Sequence, residues 1–288
     1  MIRSIVHSFA PHRLVALMLL ISIALLGGCA NIGSTATPSA SVSPVLDRVI
    51  ESGQLRVGMA GDSPPMNAMD RSGSLMGLEV DLAVGLATSM GVKAVPVQLP
   101  FGDLLAALEA GKVDIVLSNM TMTVQRNTKV AFVGPYLVSG KAVLTKSEEF
   151  ASADAPEDLG RRGVRIAVLR GSTSELLLRG VAAEAVVLPT ETPAEGTRLV
   201  IEGGADAMLA DYPAVALAVL RNPDAGLVGI TAPLTFEPIG AALPAGDPLF
   251  ENLVRNYVTL VEGTGAMALL RLQWFDDDSW LAELGEGQ

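Results

Sequence analysis

The chain has 288 residues, half of them hydrophobic, 4% aromatic and 18% charged, with a formal net charge of −11. That length holds two lobes of ordinary size or one large domain, and the composition is that of a packed globular body. So acidic a chain, with no gathered patch of Lys and Arg, argues against nucleic acid and anionic lipid headgroups as partners.

Residues 1–28 read as a secretory leader. Arg3 and Arg13 lie in a stretch without acids, and the apolar run VALMLLISIALL that follows is too short to span a bilayer comfortably. Leu26-Gly27-Gly28-Cys29 resembles a bacterial lipobox, in which cleavage precedes the cysteine and its sulfur receives a diacylglyceryl group. Burial of acyl chains would then anchor the protein to the membrane outside the cytoplasm, facing the periplasm or the cell exterior, with no spanning helix. An ordinary signal peptide with an incidental cysteine is the plainer alternative, but Cys29 is the only cysteine in the chain. Residues 29–45 carry the Ser/Thr/Ala/Pro-rich stretch ANIGSTATPSASVSP. They are expected to form a flexible tether with a reach of about 20 Å. The two histidines, His7 and His12, fall in the leader. Its removal leaves no imidazole and no free thiol, which excludes Ser-His-Asp and Cys-His catalysis, His/Cys zinc sites and an internal disulfide. No cofactor or metal is expected, and carboxylate chemistry stays open.

From Leu46 onward strands and helices alternate. Leu55–Met59 predicts a short apolar strand. Leu78, Leu82, Leu86 and Met90 recur at helical spacing, with Glu79 and Asp81 in the first turn, where the helix dipole favours acids. Val92–Leu99 predicts a strand, Phe101–Ala110 a helix stopped by Gly111, and Val113–Leu117 another strand. A similar set begins at strand Arg165–Leu169, with a helix from Thr173, strand Ala185–Leu188, helix Ala194–Glu202, strand Ala207–Ala210 and helix Tyr212–Arg221. Strand Ile239–Leu243, helix Pro248–Val261 and a last helix ending at Trp274-Phe275 complete the order. Such alternation predicts α/β architecture, with mostly parallel sheets covered by helices and ligands at the carboxyl ends of the strands. A single compact α/β domain is the alternative to two lobes.

The densest signal is residues 111–136, GKVDIVLSNMTMTVQRNTKVAFVGPY. A strand leads into Ser118, Asn119, Thr121 and Thr123, then Arg126, then a second apolar run ending in Gly134-Pro135-Tyr136. Small hydroxyls and one guanidinium at a strand's carboxyl end make an anion cradle, since Arg offers a planar fork to a carboxylate. This stretch resembles the signature of the family 3 extracellular solute-binding proteins, which capture polar amino acids for ABC importers. The resemblance runs from about residue 46 to 280. It implies the two-lobed type II periplasmic-binding-protein fold, crossed twice by the chain. Lobe 1 would comprise residues 46–138 plus 237–288, and lobe 2 residues 139–236.

The resemblance also implies a set of site residues. Arg126 would grip the ligand's α-carboxylate with Thr121, and Asn119 would join the backbone contacts, although Asn stands where Ser or Gly is usual. Val168-Leu169-Arg170-Gly171-Ser172-Thr173 resembles the family's Gly-Thr-Thr loop, and Ser172 and Thr173 would complete the carboxylate site at a helix N-terminus. By itself such a Ser-Thr pair is more often a helix cap. Asp211 would receive the α-ammonium, although an Asp at a strand–helix turn is also an ordinary cap. Asp206 reads as structural and Arg170 as a solvated side chain. Phe101 would wall the side-chain pocket with Ser63 and Met66, which stand where aromatic rings are usual in relatives. Both could equally be core.

The function implied is a monomeric, lipid-anchored, non-catalytic binding protein. It would close on an amino acid or amino-acid-like solute and present it to an ABC permease. A dehydratase on the same scaffold is the enzymatic alternative, for which Glu175 is the acid candidate. A sensory binding protein is the third.

Overall fold

The computed structural model describes residues 42–229 and 233–285; the leader, Cys29 and the tether as far as Ser41 lie outside the described residues. The body opens with α1 (Pro44–Ser52), which begins ahead of Leu46. One carboxylate seats it. Asp247 accepts from Val45 N and Leu46 N at 2.8 and 3.2 Å and from the Ser43 hydroxyl at 2.7 Å. The two backbone N–H groups are orphan donors that a helix N-terminus must satisfy.

The first lobe then runs through β1 (Gln54–Met59), a small three-stranded sheet of β2 (Asp62–Ser63), β3 (Asn67–Met69) and β4 (Leu75–Met76), then α2 (Leu78–Ser89), β5 (Lys93–Gln98), α3 (Leu104–Glu109), β6 (Ile115–Val116) and β7 (Val130–Ser139). The chain crosses at Gly140 into β8 (Lys141–Thr145), α4 (Glu148–Ala151), β9 (Arg165–Leu169), α5 (Thr173–Val181), β10 (Val186–Thr190), α6 (Pro193–Ile201), β11 (Ala207–Asp211), α7 (Tyr212–Arg221) and β12 (Val228–Gly229). It returns through β13 (Glu237–Pro244) and ends in α8 (Pro248–Gly263) and α9 (Ala266–Arg271).

Two five-stranded sheets result, ordered β5-β1-β6-β13-β7 and β10-β9-β11-β8-β12. In each, one strand opposes the rest, β13 in the first and β8 in the second. These are the two strands by which the chain arrives from a crossing. Each sheet is covered on both faces by its own apolar clusters. Leu55, Met59, Leu78 and Phe250 belong to one in the first lobe, and Val143, Ile166, Leu178 and Leu209 to one in the second. The molecule is therefore a two-lobed α/β fold with two crossings. They lie side by side, since Glu237 pairs with Ser139 and Leu234 N donates to Lys141 O at 2.7 Å.

Several elements depart from the sequence pattern. The stretch 101–110 splits into a 3₁₀ turn, Phe101–Asp103, and α3, and strand 113–117 shortens to two paired residues. β7 is longer than Gly134-Pro135 suggests, because it is the sheet's edge strand and a proline costs no ladder bond there. Glu79 is not a solvated first-turn acid; it is fully buried.

Candidate ligand site

Residues from both lobes converge between the two sheets, at strand ends where the chain turns. Asn119 and Thr121 follow β6, Lys141 opens β8, Ser172 and Thr173 begin α5 after β9, Asp211 closes β11, and Glu237 opens β13. Ser63, Met66, Phe101, Asn119, Thr121, Ser172, Thr173 and Asp211 line one cleft, together with Lys141.

Asn119 is the one described non-glycine residue with positive φ, at +50°. Its backbone N donates to buried Glu79 at 2.7 Å, and its side-chain nitrogen reaches across the cleft to Asp211 at 2.7 Å. Asn tolerates the left-handed region better than most residues, so the strain is modest and the side chain is aimed.

Arg126 is not in this cleft's lining; it lines a neighbouring cavity that shares Ser172 and Thr173 with it. Its guanidinium donates to Thr121 O at 2.8 Å and to Gly171 O of the other lobe at 3.1 Å, and rests over the Phe101 ring at 5.8 Å. Burial lowers its pKa, while the fields of Glu237 and Asp211 oppose that shift. Ser172 is the cap of α5, accepting from Glu175 N at 3.2 Å. Thr173 donates its hydroxyl to Glu237 at 3.0 Å. Ser63 donates to Asp62 at 3.1 Å, and Met66 belongs both to the cleft wall and to the first lobe's core.

Two site groups escaped the sequence reading. Lys141 is 2% exposed, its ammonium 2.5 Å from Asp211 and 3.7 Å from Glu237. A charge inside a strand that is otherwise buried at every position must be paired. That lone lysine in the apolar run LVSGKAVLT was the signal available. Glu237 gave none, because its partners Lys141 and Thr173 are far away in sequence. Asp211, expected to face a ligand ammonium, thus already carries an internal one.

Other residues turn away from the cleft. Glu175 accepts from Gly171 N at 2.7 Å and pairs with Arg179 at 2.8 Å. Burial would raise its pKa, but the bonds from Arg179 and Gly171 hold it below the usual range. It braces the loop and offers no acid to the cleft. Arg170 pairs with Glu191 at 2.7 Å on the surface, and Asp206 pairs with Arg165 at 2.7 Å.

The constellation holds two cations, Arg126 and Lys141, against two carboxylates, Asp211 and Glu237. A net-neutral ligand with both signs of charge suits it, since each of its charges finds a partner out of water. The space enclosed is about 40 Å³, room for on the order of three waters. A larger ligand enters only as the cross-cleft contacts to Asp211 and Gly171 give way.

Two lobes, each built on one five-stranded sheet, with a cleft between them at strand ends, define the fold of a binding protein of the two-lobed periplasmic type. A model of the bacterial extracellular solute-binding proteins, family 3, matches residues 55–277, and the chain belongs to that family. It is 29% identical over 231 residues to the cyclohexadienyl dehydratase of Pseudomonas aeruginosa, covering 80% of this chain and 86% of that one. It is 28% identical over 264 residues to the L-cystine-binding protein TcyJ of Escherichia coli, covering 91% and 96%. Among solved structures it resembles an ancestral amino acid-binding protein described as a precursor of cyclohexadienyl dehydratase. That match has 34% identity and a TM-score of 0.72, covering 80% of this chain and 99% of the other.

Proposed function

We propose that this protein captures an α-amino acid between its lobes and delivers it to an ABC permease. In this reading it is a monomer held outside the cytoplasm by lipid on Cys29, and residues 46–138 plus 237–288 close against residues 139–236. The observation that carries the reading is the neutral set of two cations and two carboxylates across the cleft. The ligand carboxylate goes to Arg126 with Thr121 and the Ser172-Thr173 helix start. Its ammonium goes to Asp211 with Asn119, displacing Lys141 toward Glu237. Phe101, Ser63 and Met66 face the side chain. Closure is driven by differential affinity, because the ligand touches both lobes only in the closed form. Similarity to the L-cystine-binding protein TcyJ and to the ABC transporter glutamine-binding protein GlnH of Bacillus subtilis supports it.

The test is calorimetric titration of the refolded protein with the amino acids. Arg126→Ala and Asp211→Ala should each weaken binding by about 3–5 kcal/mol, because each leaves a ligand charge buried without its partner. Full affinity in both variants would remove the head-group assignment.

One observation favours a second reading, an enzyme on this scaffold. Asp211 and Lys141 line the cleft, with Glu237 3.7 Å from the Lys141 ammonium, and such groups can serve as acid and base; a protein similar to this chain is a cyclohexadienyl dehydratase. Turnover of a cyclohexadienyl hydroxy acid, with no amino acid bound, would select that reading.

A further inference from the structure

Glu237 opens β13, where the chain returns to the first lobe, and it is not part of the cleft lining. It is 7% exposed, and its carboxylate accepts from the Thr173 hydroxyl at 3.0 Å and from the Thr235 hydroxyl at 3.2 Å. Thr235 in turn accepts from Lys141 N at 3.0 Å. The two crossings are knitted together here, so closely that a Cβ on Gly140 would collide with the Thr235 carbonyl oxygen. These bonds, and the pairing of Lys141 with Asp211 in the β8–β11 ladder, fix the lysine backbone. Its ammonium has two carboxylates in reach.

Those carboxylates stand in different places. Asp211, at 2.5 Å, belongs to the same lobe as Lys141 and lines the cleft. Glu237, at 3.7 Å, belongs to the first lobe's sheet and lies behind the lysine. An ammonium buried this deeply must keep a carboxylate, because leaving it unpaired away from water is costly. A ligand ammonium that takes Asp211 therefore requires a second seat for Lys141, and among the described residues Glu237 is paired closely enough to be that seat.

We propose that Glu237 is a positioning residue that makes Asp211 available. It takes over the Lys141 ammonium when a ligand ammonium arrives, and so turns an ion pair within the second lobe into one that joins the lobes beside the crossings. The inference rests on the amino-acid reading above, in which Asp211 receives the ligand's ammonium. It adds a selectivity that Asp211 alone does not give. A solute with a carboxylate and no ammonium leaves Lys141 on Asp211 and forms no pair between the lobes.

The experiment titrates the refolded protein calorimetrically with the amino acids, each against the 2-hydroxy acid of the same side chain, such as alanine against lactate and leucine against 2-hydroxyisocaproate. The ratio of the two affinities cancels any loss of packing that weakens both. Glu237→Gln keeps an acceptor for Thr173 and Thr235 but leaves Lys141 with Asp211 alone. The ratio should then fall roughly 10- to 100-fold, within the range of coupling between neighbouring groups. Adding Lys141→Met removes the competitor together with its need for a seat, and should bring the ratio back to the wild-type value or above it. A purely structural Glu237 would give no such rescue. A ratio unchanged in Glu237→Gln, or one that the second substitution fails to restore, overturns the exchange and leaves Asp211 as the head-group partner. A wild-type protein that binds no amino acid, or binds hydroxy acids equally well, overturns the amino-acid reading and the exchange with it.

Discussion

Glu79 shows how a single side chain sets the geometry of the site without touching the cleft. It is fully buried, and its carboxylate takes three donors: the Tyr136 hydroxyl, Asn67 Nδ2 at 2.6 Å and Asn119 N at 2.7 Å. Burial lifts its pKa, against the pull of those hydrogen bonds. The bond to Asn119 N fixes a residue of positive φ whose side chain spans the cleft, so Glu79 is a positioning residue. Glu79→Ala should cost about 3–5 kcal/mol of stability in chemical denaturation, since it strands several buried donors at once. Glu79→Gln keeps the shape but faces Asn67 and Asn119 with a possible donor; it should lose less stability and still weaken ligand binding. If Glu79→Gln bound ligand normally, the positioning role would be lost and only packing would remain. None of this was legible beforehand. The sequence places Glu79 in the first turn of a helix, but its partner Tyr136 is 57 positions away. The strand-end cluster Asn119, Thr121 and Arg126 was legible because all its parts lie within a few residues. Lys141 and Glu237 were not, for they are joined only by the fold.

At the scale of elements, the loop between β9 and α5 governs how closely the lobes meet. Gly171 has φ +72°, and a Cβ there would stand 2.9 Å from the Cα of Gly102 on the opposite lobe. Its carbonyl takes Arg126, and its N–H is held by Glu175. Two backbones therefore touch across the cleft with no side chain between them. Gly171→Ala should hold the lobes apart and strain the loop, at about 1–2 kcal/mol for the left-handed conformation alone. Scattering from the ligand-saturated variant should give a larger radius of gyration than the wild type, with weaker binding. An unchanged closed radius would mean that the loop yields. The strand–helix alternation that builds these elements was visible in apolar periodicity, which is local. The crossing strands were harder to see, because Gly134-Pro135 mimics a turn and the pairing of β7 with β13 joins segments about a hundred residues apart.

For the whole molecule, the seam between lobes carries a pH dependence that Asp62 makes measurable. Its folded-state pKa is about 6, against about 3.9 for an unfolded chain. Between those values the folded protein holds more protons than the unfolded one, so this group's contribution to stability falls as pH rises from about 4 to 6. Above that window the penalty is complete, and its ceiling is about 3 kcal/mol for a shift of some two units. Asp206 and Asp247 have lowered values and act in the opposite sense, and Arg198 and Arg221 line the cavity at Asp62. Those groups are common to the wild type and Asp62→Asn, so they cancel in the difference between the two. The melting temperature of ligand-free Asp62→Asn should therefore match the wild type near pH 4 and exceed it by several degrees at pH 7, given about 2–4 °C per kcal/mol at this size. Parallel melting curves across that range would show that Asp62 is not buried by closure. The effect also ties the seam to the loop. Asp62 is half-buried, and β2, which it opens, packs against α6 of the other lobe. A second substitution, Gly171→Ala, that keeps the lobes apart should re-expose Asp62 and flatten the difference. If the difference survived in the Gly171→Ala background, the burial of Asp62 would belong to the first lobe alone and closure would have no part in it.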